Sequence, residues 1–137
     1  PKLLRKRQQE TGFGLYQTLG IARNDRSARD SQMAKNFTFF DAPVAIFIFV
    51  HEELNHWASL DAGIYLQSLM LAATEEGVGS CAQGALATWA SPVRKHFNIE
   101  KGYKLLVGVS LGYEADHIVN TFKPDRANLE EQIFTAR

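Results

Sequence analysis

Two runs of the chain carry apolar side chains without polar alternation. The first is Ala42-Pro-Val-Ala-Ile-Phe-Ile-Phe-Val50, β-branched and aromatic throughout, and the second is Lys104-Leu-Leu-Val-Gly-Val-Ser-Leu-Gly112. Unbroken runs of this length and composition predict strands covered on both faces. Pro43 suits the first position of its strand, where a missing N–H costs least. Between the two runs, Ser59 or Asp61 can cap a helix that continues to about Glu76 and ends at Gly77. Ile64, Tyr65, Leu66, Leu69, Met70, Leu71, Ala72 and Ala73 surround this helix on nearly every side. A helix apolar all round must be covered on several sides, and so short a chain has little with which to cover it. A second subunit or a further segment is expected to help.

The flanking stretches are more polar. Lys2 to Leu19 reads as a helix interrupted by Gly12 and Gly14, and Asp25 to Ala34 as a second, polar helix. Gly77-Val-Gly-Ser-Cys-Ala-Gln-Gly84 predicts a glycine-rich loop or short strand. Ser91-Pro-Val-Arg-Lys-His96 predicts a helix with Ser91 as cap and Pro92 at the first helical position. The tail is polar from Asn120 until Leu129, after which Ile133 and Phe134 offer a small apolar anchor. Strands alternate with helices, so the class is mixed α and β.

Composition narrows the picture. The 137 residues are 45% hydrophobic and 22% charged, proportions of a folded domain rather than a disordered chain. Fifteen basic side chains balance fifteen acidic ones, which weakens any reading as a nucleic-acid binder. The balance is uneven: residues 1–35 hold eight basic and three acidic side chains, a net of +5 that the rest offsets. A single cysteine, Cys81, excludes an internal disulfide framework and a multi-cysteine metal site. The longest apolar stretches fall short of the roughly 20 residues that span a bilayer, and Pro1 to Glu10 lacks the apolar centre of a secretory signal. A soluble, cytoplasmic protein without membrane or nucleic-acid partners is expected.

Motifs for acid, base or metal chemistry fail on spacing. His51-Glu-Glu-Leu-Asn-His56 places its histidines five apart, about 140° round a helix, where a zinc motif needs them four apart on one face. A solvated loop after a strand is the better reading, and no metal ligands are assigned. Gly12-Phe-Gly14 lacks the third glycine and the preceding strand of a dinucleotide fingerprint, so local flexibility explains it better. Ser80 lacks the flanking glycines of an esterase elbow, since Val78 and Ala82 stand there. Cys81 has no neighbouring histidine in sequence to activate it and reads as a small buried residue. No side chain is assigned a catalytic role.

The order of segments carries more than any single motif. Asn36-Phe-Thr-Phe-Phe-Asp-Ala-Pro-Val-Ala-Ile precedes the apolar helix, which leads into Glu-Glu-Gly-Val-Gly-Ser-Cys-Ala-Gln-Gly. Then come Leu105-Leu-Val-Gly-Val-Ser-Leu-Gly-Tyr-Glu, Val119-Asn120 and Lys123-Pro-Asp-Arg126-Ala-Asn-Leu-Glu-Glu. From about Gly14 onward this series resembles the FMN-dependent nitroreductase family. The resemblance implies an α+β fold, an α/β/α sandwich around a mostly antiparallel sheet. It also implies a homodimer joined through long helices, with FMN at the dimer interface. The helix over 61–76 is then expected to be a principal contact between subunits. Nothing before Gly12 resembles the family's N-terminal Arg-Arg-Ser-type phosphate motif. Residues 1–137 therefore read as the C-terminal portion of a single nitroreductase-like domain, and Lys2, Arg5, Lys6 and Arg7 as a solvated helix face.

The resemblance also implies cofactor contacts. Lys123 and Arg126 match basic positions that meet the FMN phosphate, a role suited to a point charge and a bidentate guanidinium. Ser80, Cys81, Ala82, Gln83 and Gly84 match the segment that passes the isoalloxazine ring, where small residues let backbone amides approach a flat edge. Asn36 matches a polar flavin contact. The implied activity is an oxidoreductase in which NAD(P)H reduces FMN and a nitroaromatic or quinone-like small molecule accepts the electrons. A flavin supplies that chemistry, which accounts for the absence of an acid, base or nucleophile constellation. The alternative is a dimeric flavin-binding or scaffolding protein without turnover.

Overall fold

The computed structural model describes residues 2–133, so Phe134 of the expected C-terminal anchor lies outside the described residues. The helices are α1 (Lys2–Thr18), α2 (Arg26–Ala34), α3 (Asn55–Glu75), α4 (Ala85–Thr88) and α5 (Ala90–His96). The strands are β1 (Val44–His51), β2 (Gly79–Gln83) and β3 (Tyr103–Gly112). The described residues divide into two compact units, residues 31–114 and residues 2–30 with 115–133.

The 31–114 unit is built on an antiparallel sheet in the order β1-β3-β2. Both apolar runs form strands, and Pro43 stands just ahead of β1. A register shift between Ile48 and Phe49 leaves the pairs Ile48–Val107 and Phe49–Leu105, so Leu106 is an extra residue in β3. Helix α3 lies on one face of the sheet, where Ile48, Val50 and Val109 pack with Ala62, and Ala58 and Leu66 close the margins. The opposite face is covered by Leu86 of α4 and by Phe39 and Phe97, whose rings meet Phe47. β1 and β3 are thus covered on both faces. Gly108 is required for this, because a Cβ there would overlap the Leu86 side chain.

Several boundaries differ from expectation. α3 begins ahead of Ser59 and Asp61, and no side chain caps it. α5 begins with Trp89 rather than Ser91 at its cap position. His51 ends β1, residues 52–54 form a short 3-10 turn, and His56 lies in the first turn of α3, so the expected loop is mostly regular structure. Gly77 follows the end of α3 with φ +70°, as its sequence position implied.

In the other unit, α1 runs unbroken through Gly12 and Gly14, so the expected interruption is absent. Gly14 serves close packing instead, since a Cβ there would meet the Phe122 ring at 2.9 Å. The boundary between the units falls within α2, after Asp30. Asp25 caps that helix, its Oδ1 accepting from the Ala28 amide at 2.9 Å. Arg7 is half-buried and pairs with Glu131, so it is not part of a purely solvated face.

Candidate functional site

The residues expected to meet a flavin fall into two groups. Ser80, Cys81, Ala82 and Gln83 lie in β2, and Gly84 follows directly. β2 is an edge strand, paired with β3 on one side only, so part of its backbone N–H and C=O set faces away from the sheet. Pairing with Val109 puts Ala82 on the α3 face, while Cys81 and Gln83, opposite Ser110 and Gly108, occupy the other. Ala82 and Gly84 are exposed, and a Cβ built on Gly84 would meet nothing within 4 Å. An open edge of small residues fits the approach of a flat ring.

Cys81 is exposed, contrary to its expected burial. Its neighbours still desolvate the thiol enough to raise its pKa above the ordinary value, which keeps it protonated and poorly nucleophilic at neutral pH.

Asn36 and Gln83 are brought together. Gln83 is 2% exposed and Ser110 4%. The Ser110 hydroxyl donates to Gln83 Oε1, and Gln83 Nε2 donates to the Asn36 carbonyl at 2.9 Å, with Asn36 Oδ1 at 3.4 Å. Asn36 Nδ2 in turn donates to the Met33 carbonyl at 3.0 Å. Ser110 was not among the expected residues. Its signal was visible as the one hydroxyl inside the apolar run Leu105–Leu111.

Lys123 and Arg126 belong to the other unit, where they line a groove with Lys6, Arg7, Glu10 and Glu131. Both are exposed. Arg126 Nη1 donates to the Pro124 carbonyl at 3.0 Å, which orients the guanidinium while leaving further N–H groups for an anion. Arg7 is engaged by Glu131 and Lys6 stands 3.7 Å from Glu10, whereas neither Lys123 nor Arg126 forms an ion pair among the described residues. Among the described residues no group of three His, Cys, Asp or Glu side chains could hold a metal ion. No described helix is long and apolar enough to cross a membrane.

An antiparallel sheet enclosed by helices, with an open edge of small residues, defines a mixed α and β domain of the kind the resemblance implied. The nitroreductase family profile matches residues 2–113, and the chain belongs to that family. It is 36% identical over 130 residues to nitroreductase NfnB of Mycolicibacterium smegmatis, covering 94% of this chain and 55% of that protein. It is 30% identical over 131 residues to a 4-nitrobenzoate reductase of Nocardioides, covering 94% and 53%. The crystal structure of the FMN-dependent nitroreductase NfnB from Mycobacterium smegmatis in complex with NADPH superposes with a TM-score of 0.91 at 35% identity, over 98% of this chain and 61% of that one. The chain spans about half the length of the curated relatives it matches.

Proposed function

We propose that the chain forms part of an FMN-dependent oxidoreductase that passes electrons from NAD(P)H to nitroaromatic or quinone-like acceptors. The observation that carries this reading is the likeness of its backbone to a nitroreductase solved with NADPH. When bound, FMN supplies the hydride and electron transfer. The chain's own part is to bind and tune. Outward-facing amides around Ala82–Gly84 would hold the flavin edge and favour its reduced, anionic form. Lys123 and Arg126 would hold the phosphate.

α3 supports assembly as a homodimer. Leu60, Ile64, Tyr65 and Leu71 are each more than half exposed on a helix whose apolar residues are not confined to one face, a surface that a second copy would cover. Ile64→Asp is expected to shift sedimentation toward the monomer.

The test is FMN titration followed by NADPH oxidation with and without a nitroaromatic. Faster NADPH consumption on adding the acceptor supports the enzyme. Bound FMN without turnover supports the non-catalytic flavin-binding alternative, and no binding overturns both.

A further inference from the structure

We propose that Ser110, acting through Gln83 and Asn36, is a positioning residue that sets the Ala82–Gly84 backbone at the flavin edge; this rests on reading β2 as the flavin-facing strand. The relay joins three segments: β3 at Ser110, the end of β2 at Gln83, and residues 35–41 at Asn36. β2 is held laterally by β3 alone, so its last residue needs another anchor. The Gln83 carboxamide is that anchor. Ser110 donates to its oxygen, which leaves its nitrogen to donate to Asn36 and gives the amide one orientation.

The partner segment is itself under strain. Phe39, Phe40 and Asp41 adopt φ of 56°, 54° and 61°, three successive left-handed residues without a glycine. Such a conformation persists only where its surroundings over-determine it. The Asn36–Gln83 bond and the Phe37–Trp89 and Phe39–Phe47 ring contacts supply that restraint. The amide atoms of Gln83 are thus committed inside the protein, and the residue acts on a flavin through its backbone.

The experiment compares parent, Ser110→Ala and Gln83→Glu proteins loaded with FMN, together with amide hydrogen exchange of the unliganded chains. Ser110→Ala is expected to speed exchange at Gln83 and Gly84, shift the bound flavin's visible spectrum and slow flavin reduction by NADPH about tenfold, because small misplacements at a reacting edge are costly. Gln83→Glu adds a pH dependence. As a neutral acid it can accept from Ser110 and donate to the Asn36 carbonyl; ionised, it loses the donor. Burial raises that carboxyl's pKa, so reduction should approach the parent rate at low pH and fall as pH rises. Unchanged exchange, spectrum and rate in Ser110→Ala, with FMN bound, overturn the proposal and leave the flavin reading standing. A parent that binds no FMN overturns that reading, and the proposal with it.

Discussion

Every buried side chain among the described residues lies in the 31–114 unit, whereas the unit of residues 2–30 and 115–133 has none. The first unit encloses Val109 at 1% exposure and satisfies its buried polar atoms within the protein. The second relies on capping, an Arg7–Glu131 pair and the close approach of Gly14 to Phe122. Preorganisation therefore resides in the sheet. Backbone donors on β2 are held by packed neighbours, while Lys123 and Arg126 stand exposed on irregular chain.

Core truncation should give the largest contrast. Leu105→Ala, at a site 4% exposed, is expected to cost about 2–5 kcal/mol, and Leu4→Ala, at 58%, less than about 0.5 kcal/mol. Urea unfolding of both variants measures it, and equal losses would erase the distinction.

Arg126→Ala comes next. Loss of a charged hydrogen bond worth roughly 1.5–3 kcal/mol should weaken FMN binding by about one to two orders of magnitude, with Lys123→Ala milder. Flavin fluorescence titration reads both, and unchanged affinity would leave these residues as surface cations.

Arg7→Ala should matter less. Its pair with Glu131 is partly exposed, so the stability change is expected below about 1 kcal/mol and smaller still in high salt. A thermal melt at two salt concentrations is sufficient.

The smallest effect concerns Cys81. Because desolvation raises its pKa, the thiolate fraction at neutral pH is below that of an ordinary thiol. Alkylation should therefore run slower than for free cysteine and accelerate as pH rises toward the raised pKa. A rate matching free cysteine at neutral pH would contradict it.

Legibility in the sequence followed the range of the interactions. β1 and β3 could be read from unbroken apolar runs because enclosure leaves its mark on every residue of a strand. The start of α3 could not, since Leu54 at its cap position makes no side-chain bond and the nearby Ser59 and Asp61 lie inside the helix. Gly14 misled for a related reason: its role depends on Phe122, more than a hundred residues away. For the candidate site, family resemblance pointed to the β2 segment, but the partnership of Gln83 with Ser110 depends on strand register, which local pattern does not encode.

The extra residue in β3 bears on how the chain can change length. With Leu106 unpaired, Leu105 and Val107 already face consecutive partners on β1. A chain shorter by that one residue would keep every other pairing and every side chain on its present face. Removing a residue between Val107 and Leu111 would instead turn part of the strand over, placing apolar groups where Ser110 and Gly108 now stand. The strand thus has one place of slack, and length variation among related chains is expected to collect there.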